Sequence, residues 1–171
     1  MNRISIQECH SRDILNKDFP KAMKSIRAED IMTKPIHVLR ADMDLIETVD
    51  FLASKSISGA PVIDHLGRII GVVSEKDIIT RMGSDHAGSS MEIISQCLKN
   101  KGCVAIPMHQ LSVCDIMTSQ VIAVTADVPI ADITALLIEN RINRLPIIEN
   151  DRRPKGIVTR SDLLKFYCTL A

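Results

Sequence analysis

The chain has 171 residues, 46% of them hydrophobic and 25% charged, and its 21 basic and 21 acidic side chains cancel. That length makes one domain or two small ones with a real core. Neutrality argues against a general nucleic-acid binder, which needs clustered cations to release counterions, and the apolar content argues against disorder. With three Phe, one Tyr and no Trp, a stacking platform for single-stranded nucleic acid has too few rings.

In chain order, residues 1–27 show only weak helical periodicity and read as an arm, covering the rest or contacting a partner. They carry no apolar h-region with a small-residue cleavage site. Asp30-Ile31-Met32-Thr33 follows, then a β-branched run, Ile36–Leu39, that reads as a strand. Leu45, Ile46, Val49, Leu52 and Ala53 share one face at helical spacing, and Asp44 with Glu47 resembles a capping box at that helix's start. Two close strands, Ala60–Asp64 and Ile69–Ser74, lead into a second helix from Glu75.

The same order then recurs. Asp115-Ile116-Met117-Thr118 repeats the first motif, and the same offset, without a gap, carries Leu52 onto Leu137, Pro61 onto Pro146, Gly71 onto Gly156 and Asp77 onto Asp162. The second copy has its strand at Val121–Val124, Pro129 in the first turn of its helix, strands at Leu145–Glu149 and Gly156–Thr159, and a closing helix from Arg160. The expected fold class is therefore α/β (α+β): two β-α-β-β-α repeats, packed sheet to sheet about a pseudo-two-fold axis, with two related clefts between the copies. The expected organisation is an arm 1–27, a first repeat 28–82, an insert 83–112 and a second repeat 113–171. The insert reads as a loop, Gly83–Ser90, a short amphipathic helix with Met91, Ile94 and Leu98, and a linker, Lys99–Leu111.

No apolar run approaches the length of about 18 residues that marks a membrane span. Five scattered cysteines without a C-x-x-C pair suit free thiols in the cytoplasm. Cys97, Cys103, His109 and Cys114 lack the two-residue spacing of structural zinc sites, so no metal is expected. Neither a phosphate-binding G-x-x-x-x-G-K-[ST] loop nor a G-x-G-x-x-G turn occurs, and no nucleophile–histidine pairing stands out, so the protein reads as no enzyme.

The most informative segments are Gly71-Val72-Val73-Ser74-Glu75-Lys76-Asp77 and Gly156-Ile157-Val158-Thr159-Arg160-Ser161-Asp162. In each, a strand ends at a hydroxyl residue, a helix begins, and a carboxylate stands three residues on. Two readings stay open. The pair can cap its own helix, or the helix start and hydroxyl can meet a phosphate while the carboxylate takes the two hydroxyls of a ribose. Charge favours an anion at the second copy: residues 141–165 hold seven basic side chains against three acidic, whereas 56–80 hold two against three.

Two copies of Asp-Ile-Met-Thr, a Pro-Val/Ile strand and Gly-aliphatic-aliphatic-Ser/Thr-x-x-Asp together resemble the tandem CBS-domain pair, or Bateman module, over 28–82 and 113–167. The resemblance implies a regulatory, ligand-sensing module that takes AMP, ADP or ATP, with S-adenosylmethionine or NAD(H) as further candidates, between the repeats. It implies ribose contacts from Asp77 and Asp162. Phosphate or hydroxyl contacts map to Ser74, Thr159, Asn143, Arg144, Arg160, Thr33 and Thr118. Ile36, Val38, Ala60, Pro61, Val62, Val121, Pro146 and Ile147 would wall the adenine. Ser58 and Gly59 stand where the second copy has Asn143 and Arg144, a departure from a basic phosphate clamp. The resemblance further implies a homodimer acting on a separate regulated protein, with no nucleic acid or membrane as partner. A ligand-free dimerisation scaffold is the alternative, followed by a cysteine-based metal or redox module.

Overall fold

The computed structural model describes residues 7–8, 25–81 and 111–169. The expectations for most of the arm and for the loop, the helix and nearly all of the linker of the insert lie outside them. The elements in chain order are β1 (Gln7–Glu8), α1 (Ala28–Ile31), β2 (Leu39–Arg40), α2 (Leu45–Ser54), β3 (Gly59–Ile63), β4 (Ile69–Ser74) and α3 (Glu75–Arg81). Then come α4 (Val113–Ile116), β5 (Ile122–Thr125), α5 (Ile130–Glu139), β6 (Arg144–Ile148), β7 (Pro154–Thr159) and α6 (Arg160–Thr169). No helix among the described residues is long and apolar enough to cross a membrane.

The chain divides into two compact units that do not coincide with the two repeats. Among the described residues, unit one contains 37–81 and 111–121, and unit two contains 7–8, 25–36 and 122–169. The repeats have therefore exchanged their leading segments. The first copy's Asp30–Thr33 belongs to the body of the second copy, and Asp115–Thr118 belongs to the body of the first.

Unit one is built on the sheet order β2-β3-β4, with β2 parallel and β4 antiparallel to β3. Alternation along β4 buries Ile69, Gly71 and Val73 on one face and leaves Ile70, Val72 and Ser74 half-buried on the other. Leu45, Val49 and Leu52 of α2 are fully buried and join Leu39, Val62, Val73, Ile78 and Val113 in one core. Asp44 starts α2 by accepting the Glu47 N–H at 2.7 Å, as a side-chain cap should. The Thr48 hydroxyl donates to the Asp44 carbonyl at 2.7 Å. β2 pairs only through Leu39 and Arg40, so the expected strand Ile36–Leu39 is shorter and lies later in the chain.

Unit two repeats the plan with one strand more, in the order β1-β5-β6-β7. Gln7 and Glu8 run parallel to β5, so this part of the arm is extended rather than helical. An edge ladder, rather than a periodic apolar face, satisfies its backbone there. Ile130, Ile133 and Leu137 of α5 pack with Val124, Leu145, Ile147, Val158 and Leu163. Pro129 caps α5 from outside instead of lying in its first turn.

Each exchanged segment contains a one-turn helix, too short to persist alone. Four backbone bonds join α4's segment to the rest of unit one: Leu45 N–H to the Leu111 carbonyl (3.1 Å), Val113 N–H to the Met43 carbonyl (2.9 Å), and the reciprocal Val72–Thr118 pair (3.0 Å each). In unit two the Ala28 N–H donates to the Val128 carbonyl (2.8 Å) and the Glu29 N–H to the Ala126 carbonyl (3.0 Å). Thr33 and Ile157 there exchange bonds of 2.8 and 3.3 Å. Ala28 and Val113 are fully buried, so each segment also supplies its unit's core.

A left-handed residue follows α2 and α5 alike, Ser56 at φ 52° and Arg141 at φ 53°. A Cβ is strained in that region and glycine is favoured. Ser56→Gly is expected to stabilise the protein by about 0.5–1 kcal/mol, measured by urea denaturation. An unchanged or lower midpoint would contradict the assignment.

Asp64, Asp115 and Asp127 lie below the ordinary carboxylate range. The Arg68 and Leu66 amides hold Asp64 down, the Ser112 amide and hydroxyl hold Asp115, and the Thr125 hydroxyl holds Asp127. A depressed folded value means that the stabilisation is full above the ordinary pKa of 3.8 and fades as pH falls through the lower folded value. The melting temperature is expected to drop as pH is lowered from 5 to 2, and less steeply in Asp64→Asn.

Candidate functional site

Each unit has one corner where an antiparallel strand runs straight into a helix. In unit two, β7 ends at Thr159 and α6 starts at Arg160. Asp162 Oδ2 accepts both the Thr159 N–H (2.8 Å) and the Thr159 hydroxyl (2.6 Å), while the Asp162 N–H donates to Thr159 Oγ1 (3.3 Å). The capping geometry is thus formed. The other oxygen, Oδ1, accepts the hydroxyl of Thr33 at 3.2 Å. Thr33 comes from the other repeat and is held in place by its backbone pairing with Ile157.

Unit one has the same arrangement. Asp77 Oδ2 accepts the Ser74 N–H (2.8 Å) and hydroxyl (2.5 Å), and Oδ1 accepts the Thr118 hydroxyl at 3.3 Å. An ionised carboxylate offers about four acceptor positions, and these bonds use three of them. One position on Oδ1 remains for an outside hydroxyl. The adjacent threonine can yield a second, since its hydroxyl rotates freely between partners.

A close approach of backbone and side chain sets the corner's position. A Cβ on Gly156 would stand 2.5 Å from Met32 Sδ, and one on Gly71 would crowd Met117 Sδ as closely. Only glycine lets the methionine before each exchanged threonine lie this close to the strand.

Around the unit-two corner, the Asn143 carbonyl accepts the Arg160 N–H (3.1 Å), and Arg160 Nε donates to the Ile142 carbonyl (3.2 Å). Arg144 stands directly opposite Thr159 in the β6–β7 ladder. Unit one has Gly59 opposite Ser74, and the Ser58 carbonyl accepts the Glu75 N–H (2.8 Å). Thr33, Asn143, Arg144, Thr159, Arg160 and Asp162 are therefore gathered at one corner, and Ser74, Asp77 and Thr118 at the other.

The expected adenine wall divides. Pro61 and Pro146 are buried opposite Val72 and Ile157, the strand residues that bridge to the exchanged threonines. Ile36 belongs to unit two with Pro146, and Val121 to unit one with Pro61. Val38 is half-buried in unit one. Ala60, Val62 and Ile147 belong to the hydrophobic cores, so their side chains fill the interior and only their backbone can border a ligand.

A groove of about 590 Å³ in unit two, lined by Glu29, Asp127, Glu149 and Asp151 together with Lys155, has no counterpart among the sequence expectations. Its charge is wrong for a phosphate. Cys114 and Cys168 are free and exposed, whereas Cys97, Cys103 and His109 lie outside the described residues. No group of three or more metal-ligating side chains occurs among the described residues.

Duplicated strand–helix bodies with exchanged leading segments and a hydroxyl–carboxylate corner in each define a tandem-repeat α/β architecture. The family model for the CBS domain matches residues 28–84 and 113–168, and the chain belongs to that family as a tandem pair. The uncharacterized protein MJ1426 of Methanocaldococcus jannaschii is 34% identical over 149 residues, covering 80% of this chain and 88% of that protein. Other relatives are longer: the chain spans 23% of the inosine-5'-monophosphate dehydrogenase of the same organism, to which it is 26% identical over 81% of its own length. Among solved structures, CBSX2 in complex with AMP is 25% identical with a TM-score of 0.65, over 84% of this chain and 97% of that one. The CBS domain pair of MJ0100, solved with 5'-methylthioadenosine and S-adenosyl-L-methionine, shares the fold at 20% identity and a TM-score of 0.66, over 85% and 98%.

Proposed function

We propose that the protein is a regulatory, non-catalytic module that binds adenosine nucleotides (AMP, ADP or ATP) or a related adenosyl ligand at the two carboxylate corners. The observation that carries this reading is the pinned carboxylate itself. In each unit the Asp is oriented by its own strand–helix turn and by a threonine of the other repeat, with acceptor capacity left on Oδ1. Such an acceptor is suited to a ribose diol. The similarity to CBSX2, solved with AMP, supports the ligand class.

In this reading Asp77 and Asp162 take the ribose. Ser74, Thr159, Thr33, Thr118, Asn143, Arg144 and Arg160 serve the hydroxyls and phosphate, and Pro61, Pro146, Ile36, Val38 and Val121 border the base. A ligand held at once by Asp162 and Thr33 ties the exchanged segment to β7 and α6. It shifts the protein towards any state in which they stay together, by as much as its affinity differs between states. The signal passes to a separate regulated protein, from a cytoplasmic homodimer.

A second reading, a ligand-free scaffold, is favoured by the completed caps, which occupy Oδ2 of both aspartates. Thermal shift with AMP, ADP, ATP, S-adenosylmethionine and NADH separates the two. The proposal expects at least one adenosyl compound to raise the melting temperature, with about 2.7 kcal/mol of stabilisation at a hundred times its dissociation constant. It also expects Asp77→Ala together with Asp162→Ala to abolish that rise. No rise with any compound would leave the scaffold.

A further inference from the structure

The two corners share their hydrogen bonds and differ in their charge. Strand register sets Arg144 opposite Thr159, and residues opposite each other in an antiparallel pair leave the same face of the sheet with their Cβ atoms about 5 Å apart. At the equivalent place in unit one, Gly59 faces Ser74 and presents no side chain. The first helical residue is Arg160 in unit two and Glu75 in unit one. Arg160 is also tethered at the corner, where its Nε holds the Ile142 carbonyl at 3.2 Å. That bond uses one of a guanidinium's five N–H donors. Counting Arg144, Arg160 and Asp162, unit two's corner carries +1; counting Glu75, Lys76 and Asp77, unit one's carries −1.

We infer that the corners select ligands by charge. The corner of Thr159 and Asp162 takes a phosphorylated adenosine nucleotide, and the corner of Ser74 and Asp77 takes an adenosyl compound without phosphate, neutral or cationic. The inference rests on the adenosyl-binding reading above. A phosphate placed beside Thr159 meets two guanidiniums able to form charge-assisted bonds. At the unit-one corner the same phosphate finds Gly59 and Glu75 in place of the two arginines, which removes two cations and adds an acid of like charge. A sulfonium or an uncharged 5' substituent meets no such opposition in unit one.

The test is calorimetric titration of the full chain with AMP, adenosine and S-adenosylmethionine as probes. Asp162→Ala is expected to weaken AMP at least tenfold more than Asp77→Ala does, and the order is expected to reverse for S-adenosylmethionine. Arg144→Gly with Arg160→Glu, which gives unit two the residues of unit one, is expected to weaken AMP at least tenfold and adenosine less than threefold. Arg160→Glu alone places an acid in a helix's first turn, where it suits the helix. It keeps the test open if the double variant does not fold, with AMP weakened several-fold. Equal AMP losses in the two aspartate variants, or indifference of AMP to the charge swap, would overturn the inference while leaving adenosyl binding intact. Wild-type protein that binds none of the three probes would remove the parent reading and this one together.

Discussion

Gly156→Ala is expected to destabilise the protein by about 1–3 kcal/mol, the usual cost of overfilling a packed site, and the cost should trace to one particular methionine. The new Cβ would lie 2.5 Å from Met32 Sδ, 3.0 Å from its Cγ and 3.3 Å from its Cβ. Met32 cannot simply withdraw, because it is buried and its neighbour Thr33 is paired to Ile157. Met32→Ala alone should cost about 2–5 kcal/mol as a cavity. The two changes together should cost less than their sum, with a coupling of about 0.5–3 kcal/mol. Met117→Ala, the methionine of the same repeat as Gly156, should instead add to Gly156→Ala independently. Denaturant melts of the single and double variants measure this. Coupling to Met117 rather than Met32 would mean that the repeats keep their own leading segments.

Leu52→Ala and Leu137→Ala are expected to cost about 2–5 kcal/mol each, a large part of the roughly 5–15 kcal/mol that holds a typical protein folded. The two leucines occupy equivalent repeat positions and are almost wholly buried, Leu52 at 0% and Leu137 at 1% exposure. Leu52 shares its core with Val113 and Met117, and Leu137 shares its core with Ala28 and Met32. Hydrogen exchange should therefore show protection falling at residues 113–118 in Leu52→Ala and at 28–33 in Leu137→Ala. Loss at 28–33 in Leu52→Ala would contradict the exchange.

The body of each repeat is readable in the sequence because its signals are local. The apolar stripe of Leu45, Val49 and Leu52, the Asp44 cap and the short aliphatic run of Ile69–Ser74 are all signals of a single element. The corners are equally plain, since Ser74 with Asp77 and Thr159 with Asp162 lie within one turn of chain. The partners of Oδ1 are not. Thr33 stands 129 residues from Asp162 and Thr118 stands 41 from Asp77, and a duplication aligns each threonine with both aspartates alike. No local pattern says which sheet receives an Asp-Ile-Met-Thr segment. The glycine–methionine contacts decide that in three dimensions, and the repeat makes both pairings look the same in one. Assigning Ala60, Val62 and Ile147 to an adenine wall does not separate the two faces of β3 and β6. The residues alternate, and the prolines lie on the face opposite the core.

AMP affinity in a Thr33/Asp162 mutant cycle tests most directly whether each ligand corner is assembled from both repeats. Calorimetry should find AMP weakened severalfold by Thr33→Val and more strongly by Asp162→Ala. The double variant should lose less than the sum of the two single losses, because part of what Thr33 does is to hold that carboxylate. Full additivity of the two losses, or wild-type affinity in Thr33→Val, would contradict a corner shared between the repeats.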